Sequence, residues 1–290
     1  MAFKNILVTG AEGMLGQDLL PYLTGKGYHV TGIDRPQMDL LGTEENIVAT
    51  VKSLQPQIII HAAAYTDVDG AEQNPDLAMA INKDGTHKMV LAAKEAGAIF
   101  VYISTDFVFD GEKHTPYATN DTPNPINTYG LSKYYGELAV RELLDTAYII
   151  RTSWLYGING KNFVQFVLDS AHQNLKSERD VKIVDDIVGT PTWTGSLCTA
   201  IENIATSGAF GTYHAADAGP ISRYQQAVAI CRMAGLPSEH IQPVSNNEFP
   251  MAARRPLYSA LDAGELAVPS WETAFHAYLE QYKARYISHA

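Results

Sequence analysis

Five short apolar runs, separated by stretches of helical spacing, organise the first half of this chain. They are Asn5-Ile6-Leu7-Val8-Thr9, Tyr28-His29-Val30-Thr31-Gly32-Ile33, Gln57-Ile58-Ile59-Ile60-His61, Ile99-Phe100-Val101-Tyr102-Ile103-Ser104 and Ala147-Tyr148-Ile149-Ile150-Arg151. A continuous apolar run suits a strand covered on both faces, whereas a half-exposed strand alternates. Residues 14–26, 44–54, 76–96 and 128–144 read as the intervening helices. The first carries Leu15, Leu19, Leu20 and Leu23 at helical spacing and stops at Gly27. Strands alternating with helices predict an α/β fold, a Rossmann-type doubly wound parallel sheet.

After residue 152 the pattern loosens. Helices are expected over 162–173, 195–205, 224–233 and 271–285, and strands over 181–184 and 211–215. Residues 237–261, rich in Pro, Asn and Ser, resist assignment. A length of 290 residues suits roughly two domains or one large one. The expected division is a Rossmann core over 1–152 and a mixed region over 153–290, which completes the sheet and forms a smaller substrate-binding part.

Composition excludes several function classes. Hydrophobic residues are 46% and charged residues 18%, so the chain is not a disordered one. The charge sum of 21 − 32 = −11 repels phosphate backbones, so nucleic acid is not an expected partner. A local pocket for one small anion remains compatible with that sum. Cys198 and Cys231 form no CxxC or Cys/His cluster, which argues against a disulfide framework or a metal site and for a reducing compartment. No apolar run reaches the roughly 18 residues of a membrane span. The segment leading into the first strand lacks the pattern of a secretory leader. A soluble, cytoplasmic protein without a membrane partner is the expectation, with a homodimer as one open oligomeric state.

Chemistry enters with Thr9-Gly10-Ala11-Glu12-Gly13-Met14-Leu15-Gly16, between the first strand and the first helix. In that context Gly10 allows a tight turn, Gly13 lets the backbone approach a pyrophosphate, and Gly16 lets helix pack on strand. The N–H groups of Met14 and Leu15 at the helix start then face the anion. A plain turn would also use such glycines. Asp34 ends the second strand, where an acid takes ribose hydroxyls, but the adjacent Arg35 suits a 2′-phosphate. NADH and NADPH both remain open as cofactors.

Tyr129 and Lys133, in Asn127-Thr128-Tyr129-Gly130-Leu131-Ser132-Lys133, are i and i+4 near the start of a helix and share one face. Asn127 is a fair N-cap. The ammonium should lower the tyrosine pKa from about 10 and make Tyr129 a general acid near neutral pH. The third member of the set, a hydroxyl for the reacting carbonyl, is expected at the end of the fourth strand. Ser104 and Thr105 both qualify on chemistry, and strand alternation alone does not choose between them.

These residues resemble the extended short-chain dehydrogenase/reductases, and within them the dTDP-4-dehydrorhamnose reductase family. The likeness runs through the glycine loop and Tyr129-x-x-x-Lys133, which mark the superfamily. More specific are Tyr65-Thr66-Asp67-Val68-Asp69-Gly70-Ala71-Glu72, Ser104-Thr105-Asp106-Phe107-Val108-Phe109-Asp110-Gly111 and Arg151-Thr152-Ser153-Trp154-Leu155-Tyr156-Gly157, and Arg255-Pro256 matches as well. The resemblance implies Thr105 as the catalytic hydroxyl, Tyr129 as proton donor and Lys133 as the residue that holds the nicotinamide ribose. It implies Ala62, Ala63 and Ala64 along the cofactor, Asn82 as a support, Trp154 near the sugar, and Asp106 and Phe107 beside the substrate. Arg254 and Arg255 could clamp phosphate, with Arg255 the implied substrate contact. The activity implied is NAD(P)H-dependent reduction of a nucleotide 4-keto sugar. Phe107 in place of a common tyrosine, Gly70 in place of a lysine and Leu257-Tyr258 after Arg255-Pro256 depart from the pattern. Two alternatives stand: another nucleotide-sugar reductase or epimerase of the superfamily, and a non-catalytic relative such as the regulatory beta subunit of methionine adenosyltransferase.

Overall fold

All six strands of the central sheet run parallel, and its inner strands carry the continuous apolar runs expected of strands covered on both faces. The computed structural model describes residues 5–177 and 180–286, so residues 1–4 lie outside it. In chain order the first half contains β1 (Asn5–Thr9), α1 (Met14–Gly25), β2 (His29–Ile33), α2 (Glu44–Leu54), β3 (Ile58–His61), α3 (Val68–Gln73), α4 (Pro75–Met79), α5 (Thr86–Ala96), β4 (Ile99–Thr105), α6 (Thr128–Leu143) and β5 (Ala147–Thr152). The second half adds β6 (Leu155–Tyr156), α7 (Phe163–Ser177), β7 (Val181–Val184), β8 (Val188–Gly189), β9 (Thr192–Trp193), α8 (Thr194–Thr206), β10 (Gly211–His214), β11 (Ile221–Ser222), α9 (Arg223–Ala234), β12 (Ile241–Val244) and α10 (Trp271–Tyr286).

The strand order is β10-β5-β4-β3-β1-β2. Successive strand residues face opposite sides, so each strand supplies two cores. Ile6, Val8, Ile58, Ile60, Val101, Ile103, Tyr148 and Ile150 pack on Leu15, Leu19 and Leu23 of α1 and Leu197, Ile201 and Ile204 of α8. Leu7, Ile59, Phe100, Tyr102 and Ile149 pack on Ile47 and Val51 of α2, Met89 and Val90 of α5, and Val140 of α6. Each such buried side chain contributes about 1.5–3 kcal/mol. The later chain therefore supplies both an edge strand, β10, and a covering helix, α8, to the sheet. It also builds a separate core from α7, α9 and α10 around Leu168, Ile230, Phe275 and Tyr278.

Two expectations need correction. Residues 76–96 are not one helix: α4 passes through a π-helical turn over Ala80–Gly85 before α5 begins. The wider turn carries Asn82, whose amide is tied to the backbone of Tyr65, and that tie displaces the regular helical ladder. The unassigned stretch 237–261 contains β12, which extends a small sheet on β7, and a 3₁₀ turn over Asn246–Glu248. Chain order reverses between β2 and β3 on either side of β1, which opens a crevice at the carboxyl ends of β1 and β3. No helix among the described residues is long and apolar enough to cross a membrane.

Candidate active site

A cavity of about 540 Å³ fills that crevice, lined at one end by Gly10, Gly13, Met14, Leu15, Gly16, Asp34, Arg35, Ala62, Ala63 and Ala64. Its other end is lined by Thr105, Asp106, Phe107, Tyr129, Lys133, Trp154 and Arg223. The glycine loop is built for close backbone approach. Gly10 has φ +72°, where only glycine sits without strain, and a Cβ there would lie 2.8 Å from the Ala63 nitrogen. A Cβ on Gly16 would collide with the Gly10 carbonyl oxygen. Gly13 caps α1 without a side-chain hydrogen bond, and no acidic residue occupies the first turn. The helix thus presents open N–H groups to an anion, so these residues fit a dinucleotide pyrophosphate. Beneath the loop, buried His61 contacts Thr9 Oγ1 through Nδ1 at 2.7 Å, and the same hydroxyl accepts from Ala63 N at 3.3 Å. Burial, aided by the charge of Lys133, lowers His61 to about 3, so it stays neutral.

At the loop's flank the Asp34 carboxylate accepts from the backbone N–H groups of Glu12 (3.1 Å) and Arg35 (2.9 Å). Asp34 therefore anchors the glycine loop as well as facing the cavity. Exposed Arg35 stands beside it at the rim.

Helix α6 delivers the reactive pair. Its N-terminus is fixed twice: Asn127 Oδ1 accepts from Gly130 N at 2.7 Å, and Glu72 Oε1 accepts from Thr128 N at 2.6 Å. Asn127 also donates to the Arg254 carbonyl at 2.8 Å, tying the helix to the C-terminal segment. A relay then supports Tyr129. Asn82 Nδ2 donates to Ser132 Oγ at 2.9 Å, and Ser132 donates to the Tyr129 carbonyl at 2.8 Å. Ser132, the i+3 neighbour of Tyr129, carries no role in the sequence analysis, and its part in the relay emerges only in three dimensions.

Of the two candidate hydroxyls, Ser104 donates to buried Glu137 Oε1 at 2.6 Å. Thr105 lies close enough to Tyr129 to pull the phenol pKa down, and donates to Asp106 Oδ1 at 3.2 Å. Asp106 is clamped on its other oxygen by Ser259, at 2.5 Å. Burial raises Asp106 to about 6, against the hydrogen bonds of Ser259 and Thr105.

The expected depression of the Tyr129 pKa is corrected. Burial raises it to about 12, Thr105 opposes and Asp106 adds to the rise. Lys133 Nζ donates to the Ile103 carbonyl at 2.7 Å and lies 4.1 Å from the Tyr102 ring centroid, so its charge is turned toward the sheet. Burial lowers Lys133 to about 7, opposed by Glu137. Desolvation outweighs the i,i+4 pairing on which the sequence reading rested.

Arg255 does not line the cavity. Its guanidinium grips Asp69 of α3 at 2.7 and 2.6 Å, which holds Asp69 at about 2. The arginine clamp expected for phosphate is instead a strap between α3 and the C-terminal segment. Arg223 and Ser259, which no sequence motif marked, are the C-terminal residues that reach the site.

Residues 4–284 match the family model described as RmlD substrate binding domain. The dTDP-4-dehydrorhamnose reductase of Streptomyces griseus is 36% identical over 277 residues, covering 93% of this chain and 89% of that protein. The dTDP-4-keto-6-deoxy-D-glucose reductase of Streptomyces niveus is 35% identical over 276 residues, covering 92% of this chain and 94% of that one. The crystal structure of dTDP-4-dehydrorhamnose reductase from Bacillus anthracis in complex with NADP superposes with a TM-score of 0.91 at 36% identity, covering 97% of this chain and all of that one. Matched over nearly its whole length in sequence and in shape, the chain belongs to the RmlD substrate-binding-domain family.

Proposed function

We propose that this protein is an NAD(P)H-dependent reductase that converts the C4 keto group of dTDP-4-dehydro-6-deoxy-L-mannose (dTDP-4-dehydrorhamnose) to the alcohol of dTDP-L-rhamnose. The observation that carries the reading is the meeting of Thr105 and Tyr129 at one wall of a cavity whose other end is a dinucleotide cradle. When bound, the nicotinamide cofactor supplies the hydride. Thr105 and Tyr129 hold the carbonyl oxygen between two hydroxyls, where negative charge develops. The phenol, kept protonated by burial, delivers its proton to that oxygen. Lys133, one helical turn away, is brought down to about 7 by burial and holds the Ile103 carbonyl with its Nζ, so the proton comes from the phenol itself. The buried free thiols of Cys198 and Cys231 support a reducing, cytoplasmic setting.

The test is an assay with the dTDP-4-keto sugar and NADPH. Stoichiometric NADPH consumption with a 4-hydroxy product is expected. Inversion at a carbon centre without net consumption would overturn the reading in favour of an epimerase. NMR of the product separates the rhamno sugar from a product of the D-gluco series, the series named for the Streptomyces niveus relative.

Two further outcomes are expected. Gly16→Ala drives a methyl against the Gly10 carbonyl, so NADPH affinity should fall roughly tenfold or more, with about 1–3 kcal/mol lost from stability. Isothermal titration and thermal melts read the two effects. Arg35→Ala should raise the KM for NADPH on the order of tenfold and leave the KM for NADH within about twofold, because only NADPH carries the 2′-phosphate. Equal effects on both cofactors would remove Arg35 from the phosphate site.

A further inference from the structure

Arg223 is the first residue of α9 and forms part of the cavity wall. Its guanidinium carbon lies 3.4 Å from the Trp154 ring centroid and 4.6 Å from that of Phe163. Two aromatic side chains thus occupy the space around a planar cation. Its hydrogen-bonding side-chain partner is Gln226, whose Oε1 accepts at 3.3 Å, and among the described residues it has no carboxylate at ion-pair distance.

Three other buried or half-buried cations are already engaged. Arg255 is spent on Asp69, Arg151 on Glu137, and Lys133 on the Ile103 carbonyl beside Tyr129. Burial lowers Arg223 to about 9, with Asp106 opposing, so it still carries charge at neutral pH. Arg223 is half-buried at the cavity wall, and Asp106, the carboxylate whose charge acts on it, is not at ion-pair distance, so its N–H edge is left for the counter-charge of a ligand.

Trp154 is itself held for a purpose. Its φ is +46°, in the left-handed region that a bulky residue avoids. Gly189 leaves room for its ring, since a Cβ there would collide with the indole. Strain and a missing Cβ together set the platform on which Arg223 stacks. Stacking blocks the faces of the guanidinium and leaves its N–H edge for hydrogen bonding, in the fork geometry that suits a phosphate.

We propose that Arg223, pinned by Trp154 and Phe163, is the receptor for the diphosphate of the nucleotide-sugar substrate. This rests on the reductase reading above and names the side chain that makes an acidic protein accept a doubly charged ligand. It also replaces the arginine pair that the sequence pointed to.

The test uses dTDP and dTMP as probes, titrated calorimetrically into the intact protein with NADPH present. The native protein should bind dTDP at least roughly tenfold more tightly than dTMP. In Arg223→Met that preference should collapse, with dTDP affinity and 1/KM for the keto sugar falling roughly ten- to hundredfold and kcat falling far less. Arg223→Lys, which keeps charge but loses stacking, should recover part of the affinity together with its salt dependence. A native protein that binds dTDP no better than dTMP would overturn the proposal, without need of any variant. So would an Arg223→Met protein that binds NADPH normally and retains native dTDP affinity. Failure of the reductase reading is separate: it appears as absence of turnover by the native protein, whatever Arg223 does.

Discussion

Tyr129→Phe should lower kcat at least a hundredfold, and by as much as about 10⁴-fold, while NADPH affinity stays within about twofold of native. The phenyl ring keeps the edge contact with Phe107, whose centroid lies 5.7 Å away, and removes only the hydroxyl. Nothing else at that wall replaces it as a donor of a proton. Asp106 already accepts from Thr105 and Ser259, Ser104 is bonded to Glu137, and Lys133 points at the Ile103 carbonyl. Single-turnover reduction followed at 340 nm, beside a cofactor titration, reads both quantities. Turnover within tenfold of native would remove Tyr129 from the role of proton donor.

The second large effect lies away from the chemistry. Glu137 sits one turn after Lys133 on α6, fully buried, and is gripped by Arg151 of β5 at 2.8 and 2.7 Å. Ser104 and Arg141 also donate to it. Burial pushes its carboxyl up, but the hydrogen bonds and charge of Arg151, with Ser104 and Arg141, more than offset this and hold it below its ordinary value. Glu137→Gln leaves Arg151 buried without its counter-charge and should cost about 3–5 kcal/mol. The melting temperature should drop on the order of 10 °C. The sign of the pH dependence follows from the lowered pKa. The stabilisation is fully present above the unfolded value near 4.5 and is lost as pH falls through the folded value. The acid limb of the native stability curve should therefore flatten in Glu137→Gln. A variant with native stability at pH 7 would show that the pair contributes little.

Much of the fold was legible because its strands declare themselves without context. Ile58-Ile59-Ile60 has nowhere to go but the middle of a sheet, and Gly10 to Gly16 repeats the demands of a backbone packed against an anion. The π turn at Ala80–Gly85 was not legible, because it is imposed by hydrogen bonds from Asn82 to a loop seventeen residues earlier rather than by local propensity. The site divides the same way. Tyr129 and Lys133 share a helix face and could be paired by spacing. Arg223 reaches the cavity, and Ser259 reaches Asp106 in its wall, only because α9 and the segment after Arg255 fold back onto it. The direction of the Tyr129 pKa failed for a related reason: spacing along a helix shows which charges are near, while burial decides how much each charged form costs.

The placement of β10 has a consequence in time. β5 ends at Thr152 and its outer neighbour starts at Gly211, so 211 − 152 = 59 positions separate them. A ribosome adding about 5–20 residues per second needs roughly 3–12 s to cover that distance. Throughout that interval the nascent sheet ends in Ala147-Tyr148-Ile149-Ile150-Arg151-Thr152, an apolar strand with one row of backbone groups unpaired, the arrangement that invites pairing with another chain. Synthesis thus has a vulnerable window, closed when Gly211-Thr212-Tyr213-His214 arrives and seals the edge.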